Sequence, residues 1–246
     1  AGVIQLFAHG SHLLLHTGYT FKQTEHANTL LVNGKGQIGE GSDWFECLEY
    51  RKGHPVPFIA HAESHAAWDY AVADATAAYP DNAGLRKFRR HVLFCKPDIW
   101  LVVDDVLSDR PAKYELLFHA PAAPVPSEDG GFMVSGPTAR LRILPLAPAD
   151  VTGVPGRNVT RGIGLHTATT YDRLVVTTAA PCKHAVFVTL LHAFPARGAR
   201  PTVAAETKHG PIGPIVSIRC GKRHFAAQLG RETGRGGMAP LTVRAR

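Results

Sequence analysis

Short apolar or alternating runs recur along the whole chain: VIQLFAH at 3–9, HLLLHT at 12–17, NTLLVNG at 28–34, WFECLEY at 44–50, RRHVLFCK at 89–96, DIWLVVDDVL at 98–107, KYELLFHA at 113–120, ARLRILPL at 139–146, RLVVTTAA at 173–180, HAVFVTLLHAF at 184–194 and IVSIRCG at 215–221. Runs rich in Val, Ile, Leu, Phe and Thr, closed by turn residues, are strand signals. RRHVLFCKPDIWLVVDDV reads as a hairpin, because Pro97 sets φ and Asp98 tolerates a turn. VNGKGQ carries Asn33-Gly34, the dipeptide suited to a tight turn with positive φ. HAAWDYAVADATAAY at 65–79 has a helix-favouring alanine content, but Trp68, Tyr70 and Val72 alternate, and the reading here is strand.

Many strands and almost no helix predict an all-β fold, an antiparallel β-sandwich in which apolar side chains alternate between core and solvent. The stretch VTGVPGRNVTRGIG at 151–164 is rich in Gly and polar residues. It divides the expectation into a main sandwich at 1–150 and a segment at 151–246 that is either the rest of the sandwich or a small C-terminal β subdomain; the stretch could equally be one long loop. GRETGRGG at 230–237 reads as mobile.

Of the 246 residues, 45% are hydrophobic and 19% charged, as in ordinary globular chains, and the formal charge is +7. That balance favours anionic partners, an acidic polysaccharide or nucleic acid. Against nucleic acid, the basic residues are scattered through strand-like segments and no zinc-finger or RNA-binding motif is present. Cys47, Cys95, Cys182 and Cys220 lie far apart, so there is no CxxC signature and buried free thiols are expected. No apolar run has the length of a membrane span. The N-terminus lacks a signal-peptide pattern and begins inside a strand-like run without methionine, as a processed or trimmed chain would.

The succession LFAHGSHLLLHTGY, HANTLLVNGKGQ, RRHVLFCKPDIWLVVDD, YELLFHA resembles the C-terminal β-sandwich region of the heparinase II/III-like polysaccharide lyases. The resemblance covers residues 1 to 120 best. It implies a supersandwich-like fold that follows a helical α/α toroid, with an acidic polysaccharide in the cleft between the two. It implies cleavage of uronic-acid chains by β-elimination, with the catalytic residues upstream of Ala1 or in the toroid, so that this chain alone is inactive. It also implies export, to the periplasm or the medium. A noncatalytic carbohydrate-binding or interaction module is the alternative.

By the same resemblance, His16 falls where the family carries an aspartate zinc ligand and His26 falls near a later histidine ligand, with a further ligand upstream. Zinc is chemically compatible with two imidazoles. Without the resemblance, both histidines read equally as ordinary strand-end residues. Lys22, in the loop beside the cleft, is the candidate substrate contact. Other polar residues favour structural readings. His54, His61 and His65 read as solvated or satisfied in the core, His9 and His12 as turn residues, and His119 as packing at a strand end. LRKFRRH puts Arg86, Phe88 and Arg90 on one face and Lys87, Arg89 and His91 on the other, a charged outer sheet face. Asp104-Asp105 reads as supplying turn and backbone hydrogen bonds at a hairpin end.

Overall fold

The computed structural model describes residues 1–16, 23–40, 53–160, 169–198, 201–210, 213–230 and 241–245. Among these, eighteen strands form four antiparallel sheets, joined by three single-turn 3-10 segments. The largest has eight strands: β4 (Phe58–Ser64), β5 (Trp68–Asp74), β6 (Leu85–Cys95), β7 (Ile99–Ala112), β14 (Cys182–Pro195), β11 (Ala139–Ala147), β10 (Phe132–Ser135) and β9 (Val125–Pro126), in that spatial order. On one face lies the sheet β12 (Val151–Thr160), β13 (Thr169–Thr178), β8 (Tyr114–Ala120), β3 (Leu30–Val32). The opposite face is covered by β15 (Val203–His209), β16 (Pro214–Cys220), β17 (Arg223–Leu229) and β18 (Leu241–Ala245). A ribbon of β1 (Leu6–Ala8) and β2 (Ser11–Leu14) closes one side of the first core.

The chain is therefore an all-β sandwich in three layers. The middle strands of the central sheet do not alternate between core and solvent, because both their faces are buried. In β7, Val102 and Val106 pack into one core while Leu101 and Val103 pack into the other. A strand buried on both sides reads as a continuous apolar run, which explains IWLVV. The strands of 151–195 complete two of the layers begun by residues before 150, whereas 203–245 form a sheet of their own.

Turn chemistry pins the local registers. Asn33 and Gly34 have φ of 53° and 71°, and Val32 and Lys35 exchange backbone hydrogen bonds of 3.0 Å across them, as the dipeptide predicts. His9 and Gly10 do the same between β1 and β2, with φ of 48° and 78°. The segment 65–79 is strand β5 followed by the 3-10 turn Thr76–Ala78. The Gly-rich stretch from 151 is not a loop. Val151–Thr160 pairs along its whole length with β13, since an edge strand tolerates the glycines and the missing amide hydrogen of Pro155. Residues 161–164 and most of 230–237 lie outside the described residues. So does Cys47; Cys95, Cys182 and Cys220 are free thiols, the first and last buried. Among the described residues no helix is long and apolar enough to cross a membrane.

Candidate functional site

The opening segment is held at the end of β8 by one carboxamide. Asn28, fully buried, donates from Nδ2 to the carbonyls of Ile4 (2.8 Å) and Leu15 (2.7 Å), and its Oδ1 accepts the His119 amide at 2.6 Å. Leu15 in turn donates its amide to the His119 carbonyl at 2.9 Å. The first strands, the HANT segment and β8 thus meet at Asn28. A central ion pair braces this junction from below. Arg90 grips Asp104 through two bonds of 2.6 and 3.0 Å and sends Nη1 to the carbonyls of Gly2 (2.6 Å) and Asn28 (2.7 Å). Arg90 and Asp104 are both buried, so every polar bond here counts for more than it would in water.

This junction brings His16, His26 and His119 within electrostatic reach of one another. His26, at the end of the 3-10 turn Thr24–His26, is buried; its Nε2 lies 3.7 Å from Glu25. Burial lowers its pKa, with Glu25 opposing, and burial likewise lowers that of the half-buried His16. His119 is fully buried, and desolvation, aided by the Arg173 charge, pushes its pKa down to about 4. It is a neutral imidazole at physiological pH, and its tautomer follows from Asn28. Because the carboxamide nitrogen is committed to two carbonyls, Oδ1 faces His119 Nδ1 at 3.2 Å and can only accept, so Nδ1 carries the hydrogen. Nε2 is buried without a well-formed hydrogen bond among the described residues, and the Glu25 backbone lies close enough to the ring to oppose the lowering of its pKa.

Arg173 joins the group from β13, directly opposite His119 in the register. Its Nη1 is also buried without a partner among the described residues. Sequence reasoning missed this arginine, and the available signal was weak: a lone cation opening the apolar run RLVV.

Zinc takes four ligands, each with a lone pair to give. His16 and His26 are of the right chemistry, and lowered pKa values keep them in the neutral, metal-binding form. They do not suffice alone. Among the described residues no group of three or more His, Cys, Asp or Glu side chains is placed to hold a metal ion. The two imidazoles fit zinc as part of a ligand set whose remainder would come from elsewhere.

Lys22 lies outside the described residues. His61 and His65 both flank Glu63, at 3.5 and 3.3 Å, and His65 stacks on Trp68 at 3.9 Å. His54 lies 3.0 Å from the Ala77 carbonyl. His12 is not in the turn but on β2, edge-on to Phe7. Beyond Arg86, which is exposed, the LRKFRRH strand is not a solvated charged face. Arg86 meets Asp109 (2.6 Å), Lys87 meets Asp105 (2.7 Å), Arg89 meets Asp74 (2.9 Å) and Arg90 meets Asp104, each across to a neighbouring strand. Asp104 and Asp105 sit in mid-strand rather than at a hairpin end, and their carboxylates neutralise buried cations.

The class this defines is a three-layer antiparallel β-sandwich with imidazoles and an arginine gathered where its first strands meet one outer sheet. The family model for the heparinase II/III-like C-terminal region matches residues 16–183, and the chain belongs to that family. Among solved structures, heparan sulfate lyase HepC from Pedobacter heparinus superposes with a TM-score of 0.66 at 12% identity, over 89% of this chain and 34% of its own. A heparinase III matches with a TM-score of 0.66 at 12% identity, over 99% of this chain and 35% of its own. The chain spans about a third of the length of these structures, and at this identity the likeness is one of fold. No curated protein matches its sequence.

Proposed function

We propose that this chain is the β-sandwich part of a polysaccharide lyase that cleaves uronic-acid-containing chains by β-elimination, and that it is inactive without a helical toroid completing the cleft. The observation that carries the reading is the convergence of His16, His26, His119 and Arg173 around Asn28 in a member of the heparinase II/III-like family. In β-elimination a base removes the proton α to the uronate carboxylate, a C=C bond forms, and the glycosidic C–O bond breaks as its oxygen takes a proton. The α-proton is weakly acidic, so the developing enolate-like charge must be stabilised, which is the electrostatic contribution that usually dominates rate. Arg173 is suited to this role, because its buried Nη1 has no partner among the described residues and can donate to a carboxylate, and burial strengthens the contact. Neutral imidazoles beside it accept or relay protons. His119 is buried and held by Asn28 through Nδ1, which suits positioning more than free exchange with solvent. The base and acid themselves belong to residues upstream of Ala1 and to the toroid.

In this reading, His16 and His26 hold a zinc ion together with donors outside the described residues. The ion would supply a rigid cross-link between the β2 end and the HANT segment. Lys22 contacts the substrate from the adjoining loop.

The test is a pair of assays on an acidic polysaccharide, following the absorbance of the unsaturated product. The purified chain should show no turnover, and the chain joined to its helical domain should. Replacing Arg173 by Met in the active form should lower kcat by about a hundredfold, the scale of losing one transition-state donor. Turnover by the isolated chain, or an unchanged rate in Arg173→Met, would refute the assignment.

A further inference from the structure

The outer sheet of four strands cannot cover eight, and among the described residues no strand lies over part of the central sheet on the side that carries Arg90. There, four residues stand in one cross-strand row: Ser64 opposite Asp69, Asp69 opposite Phe94, and Phe94 opposite Trp100. Phe94 and Trp100 are half-buried and stack with centroids 4.6 Å apart and planes 7° from parallel. With Ala71 and Val92 they line a cleft of about 470 Å³. Asp69 forms its polar rim; its carboxylate is 39% exposed, takes a hydrogen bond of 2.5 Å from Ser64 and meets Lys96 at 2.8 Å. Glu63 borders the cleft through its place in β4, but it pairs with Tyr70 in the register and its carboxylate meets His61 and His65 on the opposite face of the sheet.

An aromatic wall beside a fixed, half-exposed carboxylate matches the two sides of a sugar ring. The polarised C–H bonds of a pyranose pack on the negative π-face of an aromatic ring. A ring hydroxyl can donate to the Asp69 carboxylate, whose Oδ1 already meets Ser64 and Lys96. The charges also select. None of the residues lining the cleft is a cation, and the Asp69 carboxylate repels a uronate or sulfated ring where it does not repel an uncharged one. Along β6 the row is four residues beyond Arg90, about 13 Å at the usual strand rise, on the same face as the Arg90 contact to Asn28.

We propose that the Ser64–Asp69–Phe94–Trp100 row is a binding subsite for an uncharged sugar ring of a glycan, separate from the His16–His26–His119 cluster. The proposal rests on the glycan-processing reading of the chain, and it adds that the glycan has neutral residues as well as acidic ones.

The experiment follows the indole N–H of Trp100 by NMR in the full chain. The resonance is assigned by its loss in Trp100→Phe, and Trp68, which packs against the opposite core, is the internal control. The probes are cellohexaose, which is neutral, and a uronate hexasaccharide. Cellohexaose should shift Trp100 and leave Trp68 in place. Phe94→Ala and Asp69→Asn should each weaken that binding by about tenfold or more, the scale of losing one ring contact or one charged hydrogen bond, with thermal melting near that of the parent. No Trp100 shift with cellohexaose, a shift that survives both substitutions, or tighter binding of the uronate at Trp100 would each overturn the proposal. The two readings fail separately. If uronate shifts only the His26 and His119 resonances, the lyase reading stands while the subsite is judged on cellohexaose. If Trp100 responds to cellohexaose but no turnover appears with the helical domain joined, the subsite stands and the lyase reading falls.

Discussion

Two imidazoles carry most of the pH sensitivity at the residue scale. His119 lies beside Arg173 on the neighbouring strand, and His91 is sealed between the central and C-terminal sheets, where its Nδ1 shares a hydrogen bond of 2.7 Å with the Tyr70 hydroxyl. Burial first, then neighbouring cations, pushes both from the ordinary value of 6.5 to about 4; at His91, Asp105 opposes. A depressed folded pKa means that the unfolded chain binds the proton first. Stability is therefore full above pH 6.5 and is lost as pH falls towards 4, by roughly 3 kcal/mol for each histidine over that interval. Urea unfolding at pH 7.5, 6, 5 and 4.5 should show the free energy falling steadily, and His91→Asn should remove about half of the slope. A flat profile between pH 6.5 and 4.5 would contradict the burial of both rings. Neither behaviour was legible in the sequence. RRH and LFH show histidines in strands, but whether a strand position is solvated depends on what lies over it, here the turn Thr24–His26 for one ring and β18 for the other.

At the scale of elements, β6 and β7 are bolted together by ions. Strand alternation divides LRKFRRH correctly into Arg90 on one face and Lys87, Arg89 and His91 on the other, since a strand has a strict period of two. What alternation cannot say is that both faces are roofed, so that each cation needs a carboxylate in register on a neighbouring strand. Asp104 opposite Arg90 on β7 and Asp74 opposite Arg89 on β5 supply two of these, and Lys87 reaches diagonally to Asp105. Removing one partner strands the other charge in the core. Arg90→Met should cost about 3–5 kcal/mol, and Arg90→Met with Asp104→Leu should recover much of the loss. A denaturant double-mutant cycle measures this; additivity of the two changes would mean that the pair is not coupled. The Arg90 variant should also loosen Gly2 and Asn28, visible as faster amide exchange at Ile4 and His119, because their carbonyl anchors share that guanidinium or its neighbours.

For the whole molecule, the decisive feature is that the central sheet serves two cores. The sheet at 203–245 covers Tyr70, Leu93, Leu101, Val103, Val188 and Leu190. Ending the chain at residue 200 would expose this face as a contiguous apolar patch, the sort that associates in water. Such a truncation should bind a hydrophobic dye strongly and elute as aggregate in gel filtration, whereas the full chain should not. A monomeric truncation with parent-like melting would show the last sheet to be a separate appendage.

Residue order alone settled what depends on neighbours along the chain. Strand periodicity, the Asn33-Gly34 turn and the 95–99 hairpin follow from local stereochemistry, and the ordered segments from LFAHG to YELLFHA were enough to indicate the family. The tertiary structure alone decided what depends on pairing between distant segments. It set Arg173 opposite His119, made the Gly-rich stretch at 151 an edge strand, gave the Arg90 guanidinium to the Asn28 and Gly2 carbonyls, and left the Phe94–Trp100 row half-buried beside a cleft. A strand's two faces are written in its own residues, but the layer that covers each face comes from elsewhere in the chain, and burial, not residue type, determines whether a charge or ring there is structural or available for chemistry.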